Sequence, residues 1–429
     1  MKVMSGTITQ PNDVSAQPRM RVRPALLWAI VAPLCVLGAL QVLLAWGEIV
    51  SSGMDIQQDY IAGKRLLAGG DIYAPIAPAE VSALGVHEEY GVGMRQNVHP
   101  PPTALVFAAL ALLPFPLAAL LWTLGSVVLL FGAAGLLARE LALPIGGPWR
   151  LIGPLLLLNW YPVWLHLHDG QFTILLLALV AGAWWCERRG YAWLAGALLG
   201  AAAVLKIYPA LLLAYALLRR RWRVLGGAAL VMLALAAAGP QQWADYFGRV
   251  APANAAEWMP NLRNASLASI SMRLFAGSAE VRPFFAMPWL EPPLRALLYA
   301  LAGGLLAYAL WRQRRADDLA AGYSLCVCAM ALLAPLTWDH AFTFLLMPFG
   351  YIWREARADT GRWRGWAIGL MIAALALSLF PTELVFVNLK RAYQLRQMPP
   401  WVHFYAVGVW VMLCGYAATL LASLRRRAS

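Results

Sequence analysis

The sequence predicts an all-α polytopic membrane protein of about twelve transmembrane helices, with two larger outer-face loops carrying short juxtamembrane helices. Three observations predict it. The chain is 61% hydrophobic and 13% charged, with a mean hydropathy of +0.62, whereas soluble domains are roughly 45–50% apolar and about 25% charged. Its apolar runs are separated by short loops that carry the arginines, the pattern that orients membrane proteins. Its 20 tryptophans suit the headgroup level, where an indole ring meets lipid and water together. The net charge of +13 is accounted for by the same arginines, so no nucleic-acid partner is expected.

Residues 1–24 read as a disordered, basic cytoplasmic tail, polar through position 18 and then carrying Arg19, Arg21 and Arg23. Residues 25–429 read as one transmembrane domain. The first apolar run exceeds a signal-peptide core and lacks a small-x-small cleavage site, so it reads as a retained span. With the N-terminus inside, the same side must receive Arg188–Arg189, Arg219–Arg223, Arg312–Arg315, Arg354–Arg364 and Arg425–Arg427. Spans near 25–47, 116–138, 150–166, 171–187, 191–205, 207–218, 224–240, 294–311, 320–336, 341–353, 366–384 and 403–424 satisfy this. Both termini are then cytoplasmic, in the inner (cytoplasmic) membrane.

The two outer loops cover 51–115 and 241–293. Residues 56–68 read as an amphipathic helix. The apolar run 102–113 is about 18 Å long as a helix, against a hydrocarbon core of roughly 30 Å. It therefore reads as a helix lying on the outer surface, entered through Pro100, Pro101 and Pro102. The 191–218 stretch has arginines at both ends, so it goes out and returns, hinging near Lys206–Pro209. The five cysteines, at 35, 186, 326, 328 and 414, sit in or beside apolar runs and read as small core residues.

This topology gathers polar groups on one side. His87, His99, His166, His168, His340 and His403 fall at the outer side or its edge, as do Asp55, Asp59, Asp169, Gln171, Lys206, Asn264, Arg273 and Asp339. Ionisable groups at membrane depth are costly and point to function. Asp55 and Asp59, four apart, share a helix face. Asp55 has two compatible readings, a capping-box-like partner of Gln58 and a catalytic base. Asp59 reads as a partner of Lys64 or Lys206, as a solvated helix-face charge, or as a catalytic group. His166 and His168 are poorly spaced for a shared metal, and no H-E-x-x-H, C-x-x-C, G-x-S-x-G or Walker pattern occurs, so no metal or cofactor is expected. Lys206, alone between apolar segments, calls for an anion, and phosphate is the abundant one.

A soluble nucleotide-sugar is not supplied outside the cell, whereas a polyprenyl-phosphate sugar in the outer leaflet is. Transfer from such a donor needs a carboxylate to take the acceptor's proton and cations or donors to hold the departing phosphate. Asp55 suits the first role; Lys206, Arg273 and His340 suit the second. One base suffices, because phosphate leaves without a proton.

The blocks DIQQDYIAGKRLLAGGDIY, HPPPTALVFAALALLPFP, DGQFTILLLALV, LLGAAAVLKIYPALLL with RRRWR, NASLASISMRLF and APLTWDHAFTFLLMP occur in that order. Together they resemble glycosyltransferase family 87, the polyprenol-phosphate-mannose-dependent mannosyltransferase-like group, from about residue 50 to 350. The resemblance implies a GT-C fold, a lipid-linked sugar donor as co-substrate, and a lipid or glycan acceptor. It implies Asp55 as base, eleven residues before LLAGG, and donor phosphate binding near Lys206 and the Trp338-x-His340 motif. Asp59, Tyr60, His99, Gln171, Asn264 and Arg273 complete the expected substrate-binding set. Three positions depart from the family pattern: Ala341 follows His340 where a second histidine is usual, Thr173 replaces an asparagine, and NASL stands at 264–267 for N-Q-S-L. Mannose is thus the default sugar. The competing readings are a flippase of lipid-linked sugars, which calls for midplane charges and repeated halves, a glycan ligase or polymerase, and an inactive relative.

Overall fold

The computed structural model describes residues 24–52, 54–86, 96–143, 146–316, 318–358, 361–393 and 396–425. The expected N-terminal tail through Arg23, together with His87, lies outside them. Every regular element among the described residues is helical, apart from one isolated bridge between Val281 and Met398. That follows from the solvent: within hydrocarbon, a helix satisfies its own backbone hydrogen bonds and an irregular segment does not.

Three described helices are individually long and apolar enough to cross a membrane: Pro24–Ser52, Phe115–Glu140 and the segment Pro288–Gln313. Three more qualify only as bent pairs. Tyr161–Asp169 turns by 115° into Thr173–Arg188, Trp222–Ala237 by 98° into Pro240–Trp258, and Arg362–Leu377 by 47° into Thr382–Ala392. The other apolar helices have 10–17 residues, shorter than the roughly 20 that span a 30 Å core. The expectation of twelve crossings therefore rests on charge alternation and not on helix length. Apolar side chains such as Leu44, Val128, Leu230, Leu233 and Trp366 stand exposed along the helices, as lipid-facing residues of a multi-pass membrane protein do.

At the centre lies Ala320–Leu332, all of whose residues are buried. Leu346–Ala358, Gly408–Arg425, Glu291–Gln313 and Leu211–Leu218 pack around it. A second tight seam joins Ala192–Leu205 to Trp222–Ala237. Gly200 lets their backbones touch there, since a Cβ at that position would stand 2.7 Å from the carbonyl oxygen of Ala228. Small residues allow this close approach between membrane helices. Cys186, Cys326 and Cys328 are buried in the core, whereas Cys35 is exposed.

The segment 51–115 forms short helices where the sequence pattern expects them. The helix expected at 56–68 runs Met54–Leu67, and the short surface helix expected at 102–113 runs Pro101–Leu110. They press together at Gly63, where a Cβ would lie 2.7 Å from the Phe107 carbonyl carbon. Tyr60 donates to the Leu113 carbonyl at 2.6 Å, and Arg65 pairs with Glu80 at 2.6 Å while donating to the carbonyls of Ala74 and Pro75. Two local differences from the sequence expectation matter for the site. The expected span 150–166 is broken at Asn159–Trp160, and a new helix starts at Tyr161, with Pro162 in its first turn because it cannot extend the old helix's hydrogen bonding. The C-terminal part of the chain also holds a third structured segment, with Thr382–Ala392 and a short 3₁₀ turn at Pro400–Tyr405.

Candidate active site

Segments from several helices and their connections enclose a cleft of about 1340 Å³. Met54–Leu67 brings Asp55 to its wall, and the bend between Tyr161–Asp169 and Thr173–Arg188 brings Asp169 and Gln171. The hinge after Ala192–Leu205 adds Lys206, and the segment before Leu346–Ala358 adds Trp338, Asp339 and His340.

Gly170 makes the approach of Asp55 to Gln171 possible. It ends the Tyr161–Asp169 helix with φ +67°, in the left-handed region that other residues rarely adopt. A Cβ there would sit 2.6 Å from Cβ of Ile56, the residue after Asp55. Across this contact the Gln171 amide nitrogen donates to the Asp55 carboxylate, and Lys206 Nζ donates to the Gln171 amide oxygen at 3.2 Å. The amide orientation is fixed by its neighbours, since reversing it would set oxygen against carboxylate and NH₂ against ammonium. One side chain thus holds a carboxylate and a cation at its two ends.

Asp55 stands in the first turn of its helix, with its carboxylate turned to Gln171, and Gln58 accepts from the Val98 N–H at 3.0 Å instead of closing a capping box. Burial, reinforced by the Asp169 charge, raises the Asp55 pKa to about 6 against the opposing pull of His99, Lys206 and the Gln171 hydrogen bond. Burial also raises Asp339 to about 6, opposed by Thr382, Arg263 and Arg273.

Asp59 is fully buried and meets His99 Nδ1 at 3.0 Å from both carboxylate oxygens. Its side-chain partner is therefore His99, and neither of the two lysines considered from sequence. His99 lines the cleft, so Asp59 holds it from behind. Thr173 is buried and its hydroxyl bridges His166 Nδ1 at 2.8 Å and His340 Nδ1 at 3.2 Å. The position that departs from the family pattern thus braces a cleft histidine.

Four expected substrate-binding residues do not line the cleft: Asp59, which stands behind His99, and Tyr60, Asn264 and Arg273. Tyr60 packs edge-on against Phe115 and bonds Leu113. Asn264 donates to Met259 and Pro335 and accepts from the N–H groups of Ser266 and Thr337, while Arg273 donates to the carbonyls of Leu262 and Asn264. These contacts tie the 241–293 loop to the segment that carries Trp338. Conversely, Arg263, Glu383, Tyr208 and Trp258 line the cleft without having been singled out. Arg263 pairs with Glu383 and lies 5.3 Å from the centre of the Trp338 ring. Glu383 was findable, being a carboxylate at the outer end of an apolar run; its partner, 120 positions earlier in the chain, was not. Among the described residues no group of three or more His, Cys, Asp or Glu side chains is arranged to hold a metal ion.

The sequence model of glycosyltransferase family 87 matches residues 97–335, more than half the chain. The chain belongs to glycosyltransferase family 87. It is accordingly a glycosyltransferase. The matched stretch includes His99, Gln171 and Lys206; Asp55 precedes it, and Trp338 and His340 follow it. Among relatives, a polyprenol-phosphate-mannose-dependent alpha-(1-2)-phosphatidylinositol mannoside mannosyltransferase of Mycolicibacterium smegmatis is 26% identical over 351 residues, 75% of this chain and 74% of the relative. A polyprenol-phosphate-mannose-dependent alpha-(1-2)-phosphatidylinositol pentamannoside mannosyltransferase of Mycobacterium tuberculosis is 26% identical over 364 residues, 80% of this chain and 75% of the relative. A Mycolicibacterium smegmatis protein of the same description is 27% identical over 236 residues, about half of each chain.

Proposed function

We propose that this family 87 enzyme transfers a sugar, mannose by likeness to its relatives, from a polyprenyl-phosphate donor to an acceptor hydroxyl at the outer face of the cytoplasmic membrane. The observation that supports the reading is the Asp55–Gln171–Lys206 line, in which a carboxylate and an ammonium stand at opposite ends of one amide.

In this reading Asp55 accepts the acceptor's proton as the oxygen attacks the anomeric carbon, and the bond to the donor phosphate breaks with its electron pair leaving on phosphate. Attack from the face opposite the departing phosphate inverts the anomeric carbon. A pKa near 6 leaves Asp55 mostly ionised at neutral pH yet more basic than an ordinary carboxylate, which is what general-base work asks for. Lys206 and His340 receive the phosphate charge, and the step uses no metal or organic cofactor. The acceptor is a lipid or glycan. The likeness to phosphatidylinositol mannoside mannosyltransferases supports a glycolipid.

Lys206→Ala tests the division of labour. It should raise the donor KM by about tenfold or more, the worth of a hydrogen bond to a charged group, and leave the acceptor KM near its wild-type value. An unchanged donor KM and rate would remove Lys206 from the donor site.

A further inference from the structure

The cleft has a second wall that the transfer step does not use. Trp338 and Trp258 meet edge to face there, with ring centres 6.0 Å apart at 78°. Arg263 lies over the Trp338 ring and pairs with Glu383, and both line the same cleft. Glu383 is itself held by its N–H donating to the Tyr161 hydroxyl at 3.1 Å. Asp339, itself buried, also contributes to this wall.

The charges say which ligand. Arg263 is matched by Glu383, and Asp339 lies within electrostatic reach of Arg263 and Arg273. The wall is therefore polar with its charges compensated, and it holds no surplus cation for a phosphate. The surplus cation is Lys206, on the other side of Asp169, whose charge reaches both Asp55 and Asp339. Aromatic faces combined with paired carboxylates and a guanidinium suit a neutral polyhydroxylated ring, whose apolar face stacks and whose hydroxyls donate and accept.

We propose that Trp338, Trp258, Asp339, Arg263 and Glu383 form a subsite for a neutral glycosyl ring of the acceptor, so that donor phosphate and acceptor sugar are sorted to opposite sides of the cleft. The proposal rests on the transferase reading above, and it moves Trp338 from the donor side, where the family resemblance had set it, to the acceptor side.

The test uses the full chain in lipid nanodiscs with radiolabelled polyprenyl-phosphate mannose and two acceptor probes, octyl α-mannoside and phosphatidylinositol. Wild type should glycosylate octyl α-mannoside. Trp338→Ala should raise that acceptor's KM by about tenfold, as lost aromatic contact predicts, with the donor KM essentially unchanged and Trp338→Phe largely restoring it. Asp339→Asn, which preserves shape, should shift the acceptor KM in the same direction. Transfer to phosphatidylinositol alone, or a raised donor KM with an unchanged acceptor KM in these variants, overturns the subsite. Saturation-transfer NMR with methyl α-mannoside and no donor separates this from the fate of the transfer reading. Signal in wild type that is lost in Trp338→Ala supports the subsite even if no donor is turned over, and equal signals in the two proteins overturn it.

Discussion

The carboxylate of Asp55 sits between opposing influences, with burial and Asp169 raising its pKa to about 6 and His99, Lys206 and Gln171 holding it down. A base must be ionised, so kcat/KM should rise with pH through about 6 and fall away below it. Gln171→Met removes a hydrogen bond to the charged form, which raises the Asp55 pKa and moves that limb to higher pH; a limb that stays put in this variant would assign it to another group. Asp55→Asn should lower turnover by about 10²–10⁴-fold, the usual share of a general base, with an unchanged melting temperature. The residues of this line were legible in the sequence because each is a polar group at the outer edge of an apolar run. Their partners were less so. Asp59 was expected to meet a lysine and meets His99, and the Arg263–Glu383 pair depends on a fold that no local pattern encodes.

At the scale of elements, the turn at Gly170 docks the helix that carries Asp55 against the bend that carries Gln171. Gly170→Ala puts a side chain at φ +67° and against Ile56. The left-handed backbone costs about 1–2 kcal/mol and the overpacking about 1–3 more. Thermal unfolding should therefore come at lower temperature, and activity should fall further than stability does, because Asp55 and Gln171 are parted. Wild-type activity in a folded Gly170→Ala protein would show that this contact does not set the site. The amphipathic helix at Met54–Leu67 and the short helix at Pro101–Leu110 were readable from periodicity and length. The break at Asn159–Trp160 and the 115° bend after Asp169 were not, since the hydrophobic run continues through both and only tertiary packing decides the angle.

For the whole molecule, the proposal that the active site faces outward rests on the arginine-bearing loops, which the positive-inside rule assigns to the cytoplasm. In a background lacking the five native cysteines, Ala279→Cys, at an exposed position of the 241–293 loop expected outside, should react with a membrane-impermeant maleimide in intact cells. Arg315→Cys should react only after the membrane is opened, and the reverse pattern would invert the topology. The class of the molecule was plain from composition, whereas the number of crossings is not given by helix lengths that mostly fall short of the bilayer. The central claim is transfer from a lipid-linked sugar by way of Asp55. Its most direct test offers a panel of radiolabelled polyprenyl-phosphate sugars to wild type and Asp55→Asn in nanodiscs with crude membrane acceptors. The account predicts that label moves from one donor, with wild type only. Equal transfer by Asp55→Asn, or movement of intact lipid-linked sugar across the bilayer with no transfer from any donor, would contradict it.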